Sequence, residues 1–342
     1  MPENIKVIWI DDDKYTSNAE SEAAAVERDN LIVEMIGPYE IDTISTNDAD
    51  IFMIDYKLGQ HPPLNHDPAF QYSGVSISMM LRDISKARGI PIYLVSRIIE
   101  GKHTNSKPEL VDRCIARSTV ASEGSHILYN DAIDYRKIRA AEKDSIDALV
   151  NLLKAPSADR EQVISALPKD ISNGMKDAGH IATGSTPSEI TFGKWTTFDL
   201  LGKPGVLYDD LYAATFLGID LNYFRTHKAD VLPGENNELI YSGIFSETTP
   251  RKWWKQSLAN HIVRNAPADM SITHIWVMAP NVLEIPPESL AKCFVCGESS
   301  PETVGMDRHD NEEYHPVHIK CSEPNPDITQ LFPFEHPRLL NE

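Results

Sequence analysis

Acidic side chains follow two short apolar runs near the start of the chain. Asp11 and Asp12 come directly after residues 5–10, and Asp55 comes directly after residues 51–54. Because the carboxyl ends of parallel strands meet at one edge of a sheet, we expect these carboxylates to converge there. The negative charges of such carboxylates repel one another unless a hard cation lies among them. Mg²⁺ is such a cation, and it is held by one or two carboxylates, a carbonyl and water. A carboxylate beside the metal could attack a phosphoryl group, with the metal and a nearby lysine or hydroxyl offsetting the developing charge.

A second set of residues with metal-binding chemistry lies near the C-terminal end. It begins with Cys293 and Cys296 and ends with His318 and Cys321, and His315 is a rival for the fourth ligand. Two pairs at this spacing can complete the tetrahedron of a structural Zn²⁺ site, which leaves no open position for catalysis. The pattern resembles one zinc knuckle of LIM or treble-clef modules. We expect the metal to tie down a segment with few apolar residues, because its binding energy becomes folding energy.

The elements that position the acidic residues are short. Residues 5–10, 51–54 and 92–95 are continuous apolar runs, typical of strands buried on both faces of a parallel sheet, and Ser96 follows the third. Residues 75–84 have helical apolar spacing, so strand, helix and strand form a βαβ unit.

The predicted fold class is therefore α/β, a doubly wound parallel sheet whose last helix covers residues 138–154. An unassigned α+β region with a small zinc knuckle follows. At ordinary domain sizes the length predicts a first domain at residues 1–154, a second at 155–285 and a zinc-knuckle segment at 286–342.

Three segments together resemble the receiver domains of bacterial two-component response regulators, which have a flavodoxin-like fold. They are residues 5–13 (IKVIWIDDD), residues 51–58 (IFMIDYKL) and residues 74–96, which include GVSISMMLRD and end in IPIYLVS. The resemblance implies that Asp55 is the phosphoryl acceptor and that Ser96 contacts the phosphoryl group. It also implies a Mg²⁺ site, whose ligands are Asp11, Asp12, Asp55 and the backbone carbonyl of Lys57.

The family also has a lysine after the fifth strand, often followed by proline. The best match is Lys137, which ends residues 133–137 and has no proline after it. Asp55 and Ser96 are 41 residues apart, as are Ser96 and Lys137, and both distances are longer than usual in the family. Residues 59–73 and 97–124 are therefore interpreted as insertions.

The composition indicates the classes of partner. With 32 basic and 51 acidic residues, the net charge of −19 repels a phosphate backbone, so we do not expect nucleic-acid binding. There is no secretory signal and no apolar stretch of bilayer length, so the chain is predicted to be cytoplasmic and away from membranes.

These observations predict an atypical response regulator. A histidine kinase or phosphotransfer protein would supply the phosphoryl group, and the C-terminal region would signal to a protein effector through protein–protein contacts. A homodimer is compatible with this interpretation. Beyond phosphoryl acceptance and autodephosphorylation no enzymatic motif is found. Two alternatives stay open: a receiver-regulated enzyme of unknown chemistry in residues 155–342, and a pseudo-receiver or phosphate-sink adaptor.

Overall fold

The structure of the chain is a computed structural model. It describes residues 4–15, 19–28, 30–41, 49–58, 73–83, 89–96, 111–141, 146–169, 171, 188–232, 238–272, 274–293, 295–298, 303–307, 314–318 and 321. The chain divides into two compact units, residues 1–152 with 168–197, and residues 153–167 with 198–342. The predicted boundaries at residues 154 and 285 stay predictions. Among the described helices, none has the length and apolarity needed to cross a membrane.

A parallel five-stranded sheet forms the centre of the first unit. Its strands are β1 (Ile5–Ile10), β2 (Leu31–Ile36), β3 (Ile51–Asp55), β4 (Ile92–Ser96) and β5 (Arg113–Ala116). Their order across the sheet is β2-β1-β3-β4-β5. This is the flavodoxin-like doubly wound order, in which ligands bind at the carboxyl ends of β1 and β3. The α/β fold class predicted for the first part of the chain is confirmed.

Helices cover both faces of this sheet. α1 (Ala19–Val26), α2 (Gly74–Asp83) and α3 (Arg117–Ala140) pack on the sheet. α4 (Ile146–Leu152) packs on α3, and so does α6 (Ser188–Trp195), which follows α5 (Ser157–Ala166) of the second unit. On one face, Ile77 and Leu81 of α2 pack in a cluster with Phe52 and Leu94. Tyr93 points to the other face, where its hydroxyl donates to Asp131 of α3 over 2.7 Å. Strands buried on both faces need mainly apolar side chains, which explains the apolar runs of β1, β3 and β4, where Lys6 near the start of β1 is a partly exposed exception.

The position of the fifth strand differs from the sequence-based expectation. Lys137, within residues 133–137, was expected to follow that strand, but these residues lie inside α3, and the strand is Arg113–Ala116. It therefore lies within residues 97–124, which were interpreted as an insertion. The strand has only four residues and is half-exposed at the edge of the sheet, so it lacks the apolar run by which β1, β3 and β4 are recognised. Residues 59–72 and 97–110 lie outside the described part of the chain.

The start of α2 packs directly against the end of β3. The amide of Gly74 donates to the carbonyl of Tyr56 over 3.1 Å. A β-carbon at position 74 would lie 2.3 Å from the carbonyl oxygen of Asp55 and 2.9 Å from Leu94 Cδ1. Only glycine allows the helix to approach the backbone of Asp55 this closely.

The second unit contains helices and short strand pairs. The elements are β6 (Leu207–Tyr208), α7 (Asp210–Phe216), α8 (Leu221–Val231), β7 (Trp253–Trp254), α9 (Lys255–Asn265), α10 (Ile275–Val282), β8 (Thr303–Asp307) and β9 (Tyr314–His318). β6 pairs with β7 and β8 with β9, both antiparallel. Phe224, Trp253 and Leu258 belong to its apolar core. The buried carboxylate of Asp159 accepts from the backbone amides of Gln256 and Ser257 over 2.9 and 3.1 Å. These amides lie in the first turn of α9 and have no acceptor within the helix, so Asp159 supplies the hydrogen bonds that they need.

Gly74→Ala is expected to lower the free energy of unfolding by about 1–3 kcal/mol, because the added methyl group must displace the backbone of Asp55. Gly89→Ala is the matched control, since a β-carbon there meets nothing within 4 Å. Its effect should stay within about 0.5 kcal/mol. Urea unfolding measures both, and equal effects of the two substitutions would contradict the close approach of α2 to β3.

Candidate functional site

Three buried carboxylates meet at the carboxyl edge of the sheet. Ile10 of β1 and Ile54 of β3 are register partners, so the residues that follow them, Asp11 and Asp55, come together. Asp12 opens a short 3-10 turn at the same place. Oxygen atoms of Asp11, Asp12 and Asp55 all lie within 4.8 Å of one another, and all three residues are buried. The structure thus brings together the acidic residues that the sequence placed at this edge.

The surroundings of these carboxylates oppose their ionisation. Burial raises the pKa of Asp11 to about 7, and the charge of Asp55 adds to the rise, while the amide of Asp13 and the charge of Arg117 oppose it. Burial likewise raises the pKa of Asp55 to about 6, against the opposing effects of Arg117 and the amide of Lys57. Burial is therefore the main reason why both carboxyls are hard to ionise, and the charge of Arg117 offsets it only in part.

The hydrogen bonds of Asp11 leave one of its oxygens for a further ligand. Asp11 Oδ1 accepts from the amide of Asp13 over 2.9 Å. Asp11 Oδ2 is buried without a hydrogen-bond partner among the described residues, and a guanidinium nitrogen of Arg117 is 3.4 Å away. A buried carboxylate oxygen in this state, beside two further carboxylates, fits the donor set that Mg²⁺ takes in proteins.

Lys57 and Ser96 lie beside the acidic group. The amide of Lys57 donates to Asp55 Oδ2 over 3.1 Å, while its side chain is exposed. Ser96 is buried at the end of β4, one residue beyond Val95, the register partner of Asp55. Their proposed roles, a metal-binding carbonyl at Lys57 and a phosphoryl-binding hydroxyl at Ser96, stay predictions.

Lys137 does not reach this edge of the sheet. α3 begins with Arg117 at the carboxyl edge and runs back across the sheet, so that Arg136 bonds Asp50, directly before β3, with two contacts of 2.8 and 2.7 Å. Lys137 follows Arg117 by 20 residues, which corresponds to about 30 Å along a helix axis. Its ammonium group bonds Asp134 over 2.8 Å. The expectation that Lys137 follows the fifth strand is therefore wrong.

Arg117 carries a positive charge at the place, directly after the fifth strand, where Lys137 was expected. It follows β5 directly, and its Nη1 lies 3.7 Å from Asp55 Oδ1. Its Nη2 pairs with Asp13 over 2.7 Å and with Glu22 of α1. Burial works against the charge of Arg117, but Asp11, Glu22 and Asp55 outweigh that effect and raise the pKa of the guanidinium further above its ordinary value. Arg117 was not predicted, because a lysine was expected at this place and because β5, which Arg117 follows, was not recognised in the sequence.

The cysteines of the second unit also meet. Sulfur atoms of Cys293, Cys296 and Cys321 lie within 4.8 Å of one another. The loop between the first two closes with the amide of Gly297 donating to the carbonyl of Cys293 over 2.8 Å, and Gly297 has φ of 73°. This turn presents two thiols to one side, as a zinc knuckle requires. His315 and His318 lie in β9, and their side chains are outside the described part of the structure.

Comparison with known proteins adds little to the description of this chain. No family model and no curated protein matches this chain. One of the solved structures that match is that of the RcsB response regulator of Salmonella typhimurium, which was described in terms of its conformational dynamism for DNA interaction. The identity is 14%, the match covers 58% of this chain and 100% of that chain, and the TM-score is 0.25. The fold is defined by the sheet order, and a similarity of this size adds nothing to it.

Asp11→Asn is expected to raise the free energy of unfolding of the metal-free protein by about 1–3 kcal/mol at pH 8, because it removes a buried charge from a repulsive group. The folded-state pKa of Asp11 is raised to about 7, so the folded protein binds this proton more tightly than the unfolded chain does. The gain is therefore full above pH 7 and shrinks as the pH falls through 7 towards about 4.

Urea unfolding at several pH values, in the presence of a chelator, measures this gain. Asp199→Asn is the control, since Asp199 is half-exposed and pairs with Lys203, a lysine one turn away. An Asp11→Asn variant that is less stable than the wild-type protein at pH 8 would show that Asp11 is not under repulsion.

Proposed function

We propose that the first unit is a receiver domain whose Asp55 accepts a phosphoryl group in a reaction that depends on Mg²⁺. The observation that supports this most strongly is the convergence of three buried carboxylates at the sheet edge, where Asp11 Oδ2 has no hydrogen-bond partner within the described part of the chain and lies 3.4 Å from a nitrogen of Arg117. A purely structural acidic cluster would be expected to satisfy such an atom within the protein. The same edge carries a buried hydroxyl at Ser96 and a cation at Arg117.

Each of these residues has a distinct role in the proposed phosphoryl transfer. Asp11, Asp12 and Asp55 would hold Mg²⁺, which supplies positive charge to the phosphoryl oxygens. A carboxylate oxygen of Asp55 forms the bond to phosphorus, while the bond from phosphorus to the donor breaks and its electron pair leaves with the donor. The donor is the imidazole of a phosphohistidine in a histidine kinase or phosphotransfer protein. Arg117, 3.7 Å from Asp55, is placed to donate to the new phosphoryl oxygens.

The output is proposed to be a protein–protein signal from the second unit to a protein effector. The enzyme alternative needs a deep pocket with convergent ionisable groups beyond residue 155. A cavity of about 120 Å³ lies there, and its lining includes His261 and Arg264 of α9 and Glu238. Ligand pockets usually enclose about 300 Å³ or more, so this cavity does not favour an enzyme. The choice between a signalling receiver and a phosphate sink depends on whether phosphorylation alters partner binding.

Incubation with acetyl phosphate and Mg²⁺ is expected to add one phosphoryl group, measured by intact mass. Asp55→Asn should abolish the adduct, because its amide nitrogen cannot take the place of the attacking oxygen. A chelator should abolish it as well. An equal adduct in Asp55→Asn would contradict the assignment of the acceptor, and the absence of any adduct would favour the pseudo-receiver.

Arg117→Ala is expected to slow adduct formation by about 10–100-fold, because one preorganised cation is lost from the developing charge. Lys137→Ala is the matched control and should leave the rate unchanged, since this exposed side chain pairs with Asp134 within α3. A slower rate in the Lys137 variant and none in the Arg117 variant would reverse the assignment.

We further propose that the cysteine cluster binds one structural Zn²⁺. Metal analysis of the purified protein should find one equivalent of zinc, which Cys293→Ser removes. Cys114→Ser is the control, because Cys114 lies in β5 of the other unit and should not affect zinc. Whichever of His315→Ala and His318→Ala lowers the zinc content identifies the fourth ligand. A protein that contains no zinc and whose unfolding is unchanged by a chelator would exclude the site.

A further inference from the structure

The partners of Arg117 fall into two groups at the two ends of its guanidinium. Nη2 pairs with Asp13 over 2.7 Å and with Glu22, and it lies 3.4 Å from Asp11 Oδ2, whereas Nη1 lies 3.7 Å from Asp55 Oδ1. The closest contacts are therefore with Asp13 and Glu22, which lie outside the Asp11, Asp12 and Asp55 group. Arg117 also lies beside two of the candidate metal ligands, Asp11 and Asp55.

Asp13 and Glu22, two of the partners at Nη2, are the weaker competitors for this arginine. The side chain of Glu22 is 33% exposed and that of Asp13 is 19% exposed, whereas that of Asp55 is 11% exposed. Water screens ion pairs of partly exposed carboxylates more than it screens those of buried ones. A phosphoryl group on Asp55 would add about two negative charges and three oxygens, and it can accept two parallel bonds from a guanidinium. Bound Mg²⁺ alone would have the opposite effect, because its positive charge would repel Arg117 towards Asp13 and Glu22.

Glu22 connects this competition to α1. This helix has eight residues, too few to be stable by itself in water. It packs against β2 and α3, and the buried apolar side chains described in it are Ala23 and Val26. The pair between Glu22 and Arg117 therefore provides a polar link from α1 to the start of α3. An element with so few buried contacts is prone to local opening when one of them is lost.

We propose that Glu22 competes with the phosphoryl group of Asp55 for Arg117, so that phosphorylation transfers the arginine from Glu22 to the phosphoryl oxygens and loosens α1. This inference rests on the proposed phosphorylation of Asp55 and names the element that reports it. Asp13 holds the arginine next to the site during the exchange, and α1 becomes the surface whose exposure differs between the two states.

Backbone hydrogen exchange of residues 19–26 in the full chain tests the proposal. It is measured without ligand, with Mg²⁺, and with Mg²⁺ and beryllofluoride as the phosphoryl analogue. In the wild-type protein, protection of α1 should fall severalfold with beryllofluoride and should not fall with Mg²⁺ alone. In Glu22→Gln, protection should already be low without ligand, and beryllofluoride should bind about twofold to tenfold more tightly because the competitor is gone.

Glu34→Gln is the matched control. Glu34 lies on β2 with its side chain 51% exposed, and it pairs with Lys6 rather than with Arg117. This variant should behave as the wild-type protein in both measurements.

Different results would overturn the phosphorylation of Asp55 and the exchange of partners by Arg117. If fluorine NMR shows no bound beryllofluoride in the wild-type protein, both the phosphorylation of Asp55 and this inference are overturned. If beryllofluoride binds but the protection of α1 does not change, and Glu22→Gln binds it as the wild-type protein does, only the partner exchange is overturned.

Discussion

Repulsion among buried carboxylates is the constraint on which the rest of the first unit depends. Asp11, Asp12 and Asp55 are brought within 4.8 Å of one another by the register of β1 and β3, and burial raises the pKa of both Asp11 and Asp55. Nothing in the hydrophobic core requires these charges, so the fold bears a cost in stability at this edge. Such costs are typical of sites where a ligand completes the structure.

Two further features maintain this arrangement. Gly74 lets α2 approach the backbone of Asp55, which limits the freedom of the acceptor. α3 carries arginines at both of its ends: Arg117 reaches the acidic edge, and Arg136 holds Asp50 at the opposite edge. These contacts hold the helix at both edges of the sheet.

The sequence was informative where one physical signal dominated. The continuous apolar runs of β1, β3 and β4 predicted a buried parallel sheet, and the acidic residues at their ends were placed at one edge correctly. β5 was missed, because a short and half-exposed edge strand has neither an apolar run nor clear alternation. That error displaced the expected cation to Lys137. Arg117 could not be recognised from its neighbours in sequence, since its partners Asp13 and Glu22 come from the other end of the unit.

The central claim is that Asp55, and no other carboxylate of the cluster, becomes an acyl phosphate. The most direct measurement is reduction with borohydride after reaction with acetyl phosphate and Mg²⁺, because borohydride converts an aspartyl phosphate to homoserine. Peptide mass mapping then locates the modified position. The account predicts homoserine at position 55 only, and only when Mg²⁺ is present. Homoserine at position 11, 12 or 13, or the same amount without Mg²⁺, would contradict it.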